Sequence, residues 1–149
     1  MPANQEILLL IENTITKHGR IDLPAEGNSM FPFIRQGDIC RFITCDAAML
    51  KKGDIVLYHS QAGHLIAHRF YERRSVNYQL QYFFKGDTNL CPDAPVDQQQ
   101  VLGKLIHVQK HKSIIHMTDL TAHLWRAMIF TFPKLSGILR IYLNRKHST

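Results

Sequence analysis

The stretch Glu26-Gly27-Asn28-Ser29-Met30-Phe31-Pro32-Phe33-Ile34-Arg35-Gln36-Gly37-Asp38 sets a hydroxyl between a flexible pair of residues and a stiff one. Gly27 leaves the backbone free to aim the amides that follow, and Pro32 fixes the exit of the turn. Such a serine suits nucleophilic catalysis, but a hydroxyl attacks a carbonyl only once a neighbouring base takes its proton. That base must come from a segment distant in sequence. Met30 and Phe31 put apolar surface beside the hydroxyl, which suits a hydrophobic peptide. Taken alone, the stretch reads more readily as a plain turn whose Met-Phe-Pro packs into a core.

Metal chemistry has weaker support. Cys40 and Cys45 are too far apart for the tight pair usual in zinc sites. His59, His64 and His68 straddle an expected hairpin tip, and no H-E-x-x-H motif occurs. No metal and no other cofactor is expected. Cys40, Cys45 and Cys91 form an odd set without a disulfide framework, so reduced thiols in the cytoplasm are expected.

Positioning any distant pair of side chains requires a scaffold. Residues 3–18 read as a helix, with Ile7, Leu10, Ile11 and Ile15 at helical spacing and Gly19 as the stop. From Arg20 to Val108 short extended runs alternate with turns: RIDLP, DICRFI, DIVLYH, HLIAHRFYE, YQLQYFF and VLGKLIHV. Gly-Asp pairs at 37–38, 53–54 and 86–87 punctuate them, and YHSQAGHLIAH reads as a hairpin with Gln61-Ala62-Gly63 near its tip. Such a pattern predicts antiparallel β structure rather than βαβ units. After the basic strand KHKSIIHM, Thr118 or Asp119 can cap a helix running to about Phe132; Pro133 interrupts, and KLSGILRIYLNRK resumes. The expected fold is therefore mainly β, ribbon- or barrel-like, with an N-terminal helix (1–19), a β body (20–117) and a broken amphipathic helical tail (118–149).

The 149 residues, 45% hydrophobic and 20% charged, suit one folded domain. The start of the chain has no basic region or small-residue cleavage site and does not read as a secretion signal. No apolar run reaches the roughly 20 residues that a membrane-spanning helix needs. The net charge of +6 is uneven: residues 1–103 hold 10 Lys/Arg against 11 Asp/Glu, and residues 104–149 hold 8 against Asp119 alone. No nucleic-acid partner is expected, because the charge sits on the tail and no helix-turn-helix or zinc-finger spacing accompanies it. In residues 119–146, Leu120, Leu124, Trp125, Met128, Ile129 and Phe132 accompany Arg126, Lys134, Arg140, Arg145 and Lys146. Two readings stay open for this segment: it lies on the inner face of a membrane as a peripheral contact, or it packs on the β body or a second subunit of a homodimer.

GNSMFPFIRQGD resembles the Ser-Met-x-Pro…Gly-Asp box of the type I signal peptidases and the self-cleaving repressor domains. The resemblance continues in order through KKGDIVLY (51–58), IAHRFYE (66–72), FKGDTNLCPD (84–93) and VLGKLIHV (101–108), and covers roughly residues 20–108. His68-Arg69 is similar to the histidine-type members, those of the endoplasmic reticulum and of sporulation, rather than to the lysine-type bacterial enzymes. The resemblance implies Ser29 as nucleophile, His68 as general base and then acid, and Asp93 orienting the imidazole, with Asp87 close enough in sequence to compete for that role. Asn28 and the backbone N–H of Ser29 would meet the oxyanion, with Met30 and Phe31 beside the substrate. Many bacterial relatives have a hydroxyl residue two before the nucleophile; this chain has Gly27. An imidazole of ordinary pKa, about 6.5, accepts a proton at neutral pH without deep burial. Asp38, Asp54 and Asp87 are expected to bond backbone amides at turns and strand ends, and Arg69 either pairs with one of these carboxylates or is solvated.

The expected function is a serine endopeptidase that cleaves a precursor or leader peptide bound in extended form. The alternative is a non-catalytic or self-cleaving regulatory module that keeps the fold. A repressor needs a DNA-binding head, and the residues before the β body are too few for one.

Overall fold

In the computed structural model, residues 5–148 are described; the first two residues of the expected N-terminal helix lie outside them. Helix α1 (Gln5–His18) carries Glu6 in its first turn and Lys17 and His18 in its last, charges that complement the helix dipole. Its buried face is Leu8, Ile11 and Ile15, while Ile7 and Leu10 point outward, so the buried stripe is rotated from the expected one.

Seven strands follow: β1 (Arg20–Pro24), β2 (Ile39–Ile43), β3 (Ile55–His59), β4 (Leu65–Val76), β5 (Gln79–Lys85), β6 (Val101–Gln109) and β7 (Ile114–His116). They form one antiparallel sheet in the order β1-β2-β6-β3-β4-β5, with β7 on β6. This is the β-based architecture read from the turn punctuation. Two helices close the chain, α2 (Leu120–Thr131) and α3 (Lys134–His147), separated at Pro133.

Strand β3 lies between β4 and β6 and is buried on both faces. Successive strand residues point to opposite sides. Ile55 and Leu57 therefore enter a core shared with α1 and the Met30–Ile34 turn, whereas Val56 and Tyr58 enter a second core with Phe70, Tyr82 and Phe84. Alternation has the same consequence one strand away. His68 pairs with Val56 and Arg69 with Ile55, so these sequence neighbours face different cores.

The β4–β5 hairpin closes on Asn77 and Tyr78, both at positive φ. That conformation matches the twist of a two-residue hairpin turn. A bulge between Phe70 and Glu72 bends β4 just beyond the His68-Arg69 pair.

Candidate active site

Ser29 sits in a loop that β1 and β2 hold shut. The Ala25 N–H donates to Asp38 O at 2.8 Å and the Gly37 N–H to Ala25 O at 3.0 Å, closing the loop at its base. Gly27 adopts φ +70°, where a side chain is strained. Beyond it the chain makes a helical turn, with the Phe31 N–H on Asn28 O at 3.1 Å and the Ile34 N–H on Met30 O at 2.9 Å. Met30, Phe33 and Ile34 are driven into the core, which anchors the turn. Lys110 fastens it further by donating to Phe33 O at 2.5 Å and pairing with Asp38.

The two side chains thirty-nine positions apart meet: the Ser29 hydroxyl is 2.9 Å from His68 Nε2. On the far side of the ring, Nδ1 lies 2.5 Å from Asp93 Oδ2. With the Nδ1 proton directed at that carboxylate, Nε2 offers its lone pair to the hydroxyl. Asp93, not Asp87, takes this position, because the Asp93 N–H bonds Phe84 O at 2.8 Å and draws the segment back across β5.

A second donor reaches the same carboxylate oxygen. Tyr58, from the middle of β3, donates its hydroxyl to Asp93 Oδ2 at 2.6 Å. Burial works to raise the Asp93 pKa, but bonds from His68 and Tyr58 and the imidazole charge outweigh it and hold the carboxyl below its usual range. Burial, and then the bond to Asp93, push the Tyr58 phenol up, so it stays a donor. Tyr58 closes the box KKGDIVLY, but nothing in the sequence assigned it a place in the site.

Gly86 explains how the parts come so close. A Cβ there would stand 3.0 Å from His68 Nε2, 3.0 Å from Ser29 O and 2.7 Å from Asn89 Nδ2. The adjoining turn grips the Ser29 backbone, with the Thr88 N–H on Ser29 O at 3.0 Å.

Asp87 departs from its expected turn role. Its oxygens accept from Arg69 Nε at 2.7 Å and Nη2 at 3.0 Å, and from the Trp125 indole N–H at 2.9 Å. Arg69 and Asp87 are buried at 0% and 2% exposure, so Arg69 is not a solvated arginine. Asp38 and Asp54 do bond turn amides, of Arg35 and Lys51 respectively.

Among the expected oxyanion and substrate residues, Asn28 and Ser29 are half-buried, and Phe31 is half-buried against Tyr142 with ring centroids 5.8 Å apart. Met30 has only 4% exposure, so its side chain belongs to the core and does not face a bound peptide. Within the described residues, neither the Ser29 N–H nor the Asn28 side chain is committed to another hydrogen bond.

Cys40 and Cys45 are poor rivals as nucleophiles. Burial, then the Asp38 carboxylate, push Cys40 up to about 12, and burial raises Cys45. Among the described residues no group of three or more His, Cys, Asp or Glu is placed to hold a metal ion. No helix of the described residues is long and apolar enough to cross a membrane.

The chain matches no protein-family model and no curated protein sequence.

Proposed function

We propose that the protein is a serine endopeptidase that resembles the histidine-type signal peptidases and cleaves a precursor or leader peptide. The observation that carries this reading is the continuous line from Ser29 Oγ through His68 to Asp93, with contacts of 2.9 and 2.5 Å. In the proposed cycle, His68 Nε2 takes the Ser29 proton as Oγ attacks the scissile carbonyl. The free Ser29 N–H, with the Asn28 amide beside it, stabilises the oxyanion. The imidazolium, steadied by Asp93, then gives its proton to the leaving amine, leaving an acyl group on Ser29. Water deprotonated by the same nitrogen releases the acid and restores the serine.

An extended peptide suits the scaffold. Among the described residues β1 is an edge strand whose outer side pairs with no other strand, and it leads straight into the Ser29 loop. Main-chain addition to such an edge gives affinity without demanding a sequence. The odd cysteine count supports action in the reducing cytoplasm.

The test is cleavage of a library of extended peptides by wild-type, Ser29→Ala and His68→Ala proteins, with products read by mass spectrometry. Both variants should lose at least about 1,000-fold in kcat/KM. Equal cleavage by all three would defeat the reading.

A further inference from the structure

The helical tail has two apolar faces, and only one is used. Ala122 and Ile129 of α2 are buried, and Trp125 bonds Asp87, so this face is fixed to the β body. The Trp125 indole N–H is thereby committed to the β body. Leu120, Leu124, Met128 and Phe132 recur every four residues in an outward stripe beside the buried face and are 72%, 56%, 45% and 59% exposed. On α3, Ser136 is buried, while Ile138, Ile141 and Tyr142 form a second outward set, each more than half exposed. A folded chain rarely leaves such a run in water without a use for it.

Positive charge surrounds this surface. Lys134, Arg140 and Arg145 rise from α3, and no ion pair among the described residues neutralises them. At the start of α2, a cleft of about 670 Å³ is bounded by Thr121 and Trp125 on one side and by Arg35, Lys110, His111 and Lys112 on others. Lys110 is held by Asp38, but Arg35 and Lys112 have no acidic partner among the described residues. Asp38 is the one acid among the residues that line the cleft, and Asp119 is the one acid of residues 104–149.

We propose that the outer face of α2 and α3, with the cationic cleft beside it, docks on an anionic lipid bilayer. Apolar side chains that enter the acyl boundary and cations that reach the headgroups are the two components of interfacial binding. A nucleic acid would use the charge but leave Leu120, Leu124, Met128 and Phe132 in water. Tyr142 stacks on Phe31, so docking would hold the Ser29 turn beside the bilayer. The inference is independent of the peptidase reading, because binding needs no hydrolysis.

The experiment is co-sedimentation of the full chain with vesicles of phosphatidylcholine alone and of phosphatidylcholine mixed with phosphatidylglycerol. Wild-type and Ser29→Ala proteins should bind the anionic vesicles equally, bind the neutral ones far less, and release as salt rises. Lys112→Gln and Lys134→Gln should each weaken binding about fivefold. Leu124→Glu with Met128→Glu should weaken it at least about tenfold; both residues are exposed, and an unchanged melting curve would show that the fold is kept. Failure of the wild-type protein to bind, or binding that the glutamates leave unchanged, overturns the proposal. So does a dimer in sedimentation equilibrium that the glutamates dissolve while wild-type protein ignores vesicles, since a second copy then covers the face.

Discussion

At the scale of single residues, Asp93 carries more than the orientation of an imidazole. Its Oδ2 receives both His68 Nδ1 and the Tyr58 hydroxyl, so the carboxylate charge is shared between two donors. Tyr58→Phe removes one of them. The ring should then be held less firmly, and kcat/KM should fall by about tenfold. A Tyr58 that only fills space would leave the rate in place. Gly86 acts by having no side chain. In Gly86→Ala the new methyl meets the His68 ring and Ser29 O at once, and neither is the far end of a flexible chain. Displacing the ring by a fraction of an ångström should lower kcat/KM by about 10- to 100-fold, with circular dichroism unchanged. Wild-type rates in Gly86→Ala would show that the close approach is not needed.

At the scale of elements, the buried Arg69–Asp87 pair, with Trp125, joins three segments far apart in the chain. Arg69 belongs to β4, Asp87 to the turn after β5, and Trp125 to α2. Arg69 also donates to Gly53 O at 3.1 Å, tying in the turn before β3. Removing one charge strands the other in the core, so Asp87→Asn should cost about 3–5 kcal/mol in urea unfolding. Because the Gly86–Thr88 turn holds the Ser29 backbone, the same variant should also lose activity. This ion pair was half legible. His68-Arg69 and Lys85-Gly86-Asp87 stood out as boxes, but whether Arg69 meets an acid or water depends on desolvation by chain far from either. The buried stripe of α1 went astray for a related reason. Leu8 and Ile7 are both apolar, and only the seat on β1 and β6 selects the side that faces inward.

At the scale of the molecule, acid should weaken the fold through carboxylates whose native pKa is depressed. Asp93 is held down despite burial by His68 and Tyr58, and Asp22 is held down by its bond to Arg41. The sign follows from linkage. Their contribution is complete above the unfolded carboxyl value of about 3.9 and disappears as pH falls through the lower native values. Melting temperature should therefore be level near neutrality and drop as pH falls below about 4. Asp93→Asn should flatten part of that drop; an unaltered curve would mean that the Asp93 carboxylate is not coupled to folding.

Ser29, His68 and the Gly-Asp turns were readable from the chain because each belongs to a short box whose residue types act locally. The antiparallel pairing also followed from local signals, alternating apolar runs cut by turns, but the order of the strands in the sheet did not. Three-dimensional packing set Asp93, which the resemblance had named, rather than Asp87 on the imidazole, and it alone recruited Tyr58, buried Arg69, withdrew Met30 and turned the Trp125 N–H inward. Periodicity tells which side of an element a residue lies on. What stands opposite that side, and whether water remains there, depends on contacts between segments far apart in the chain.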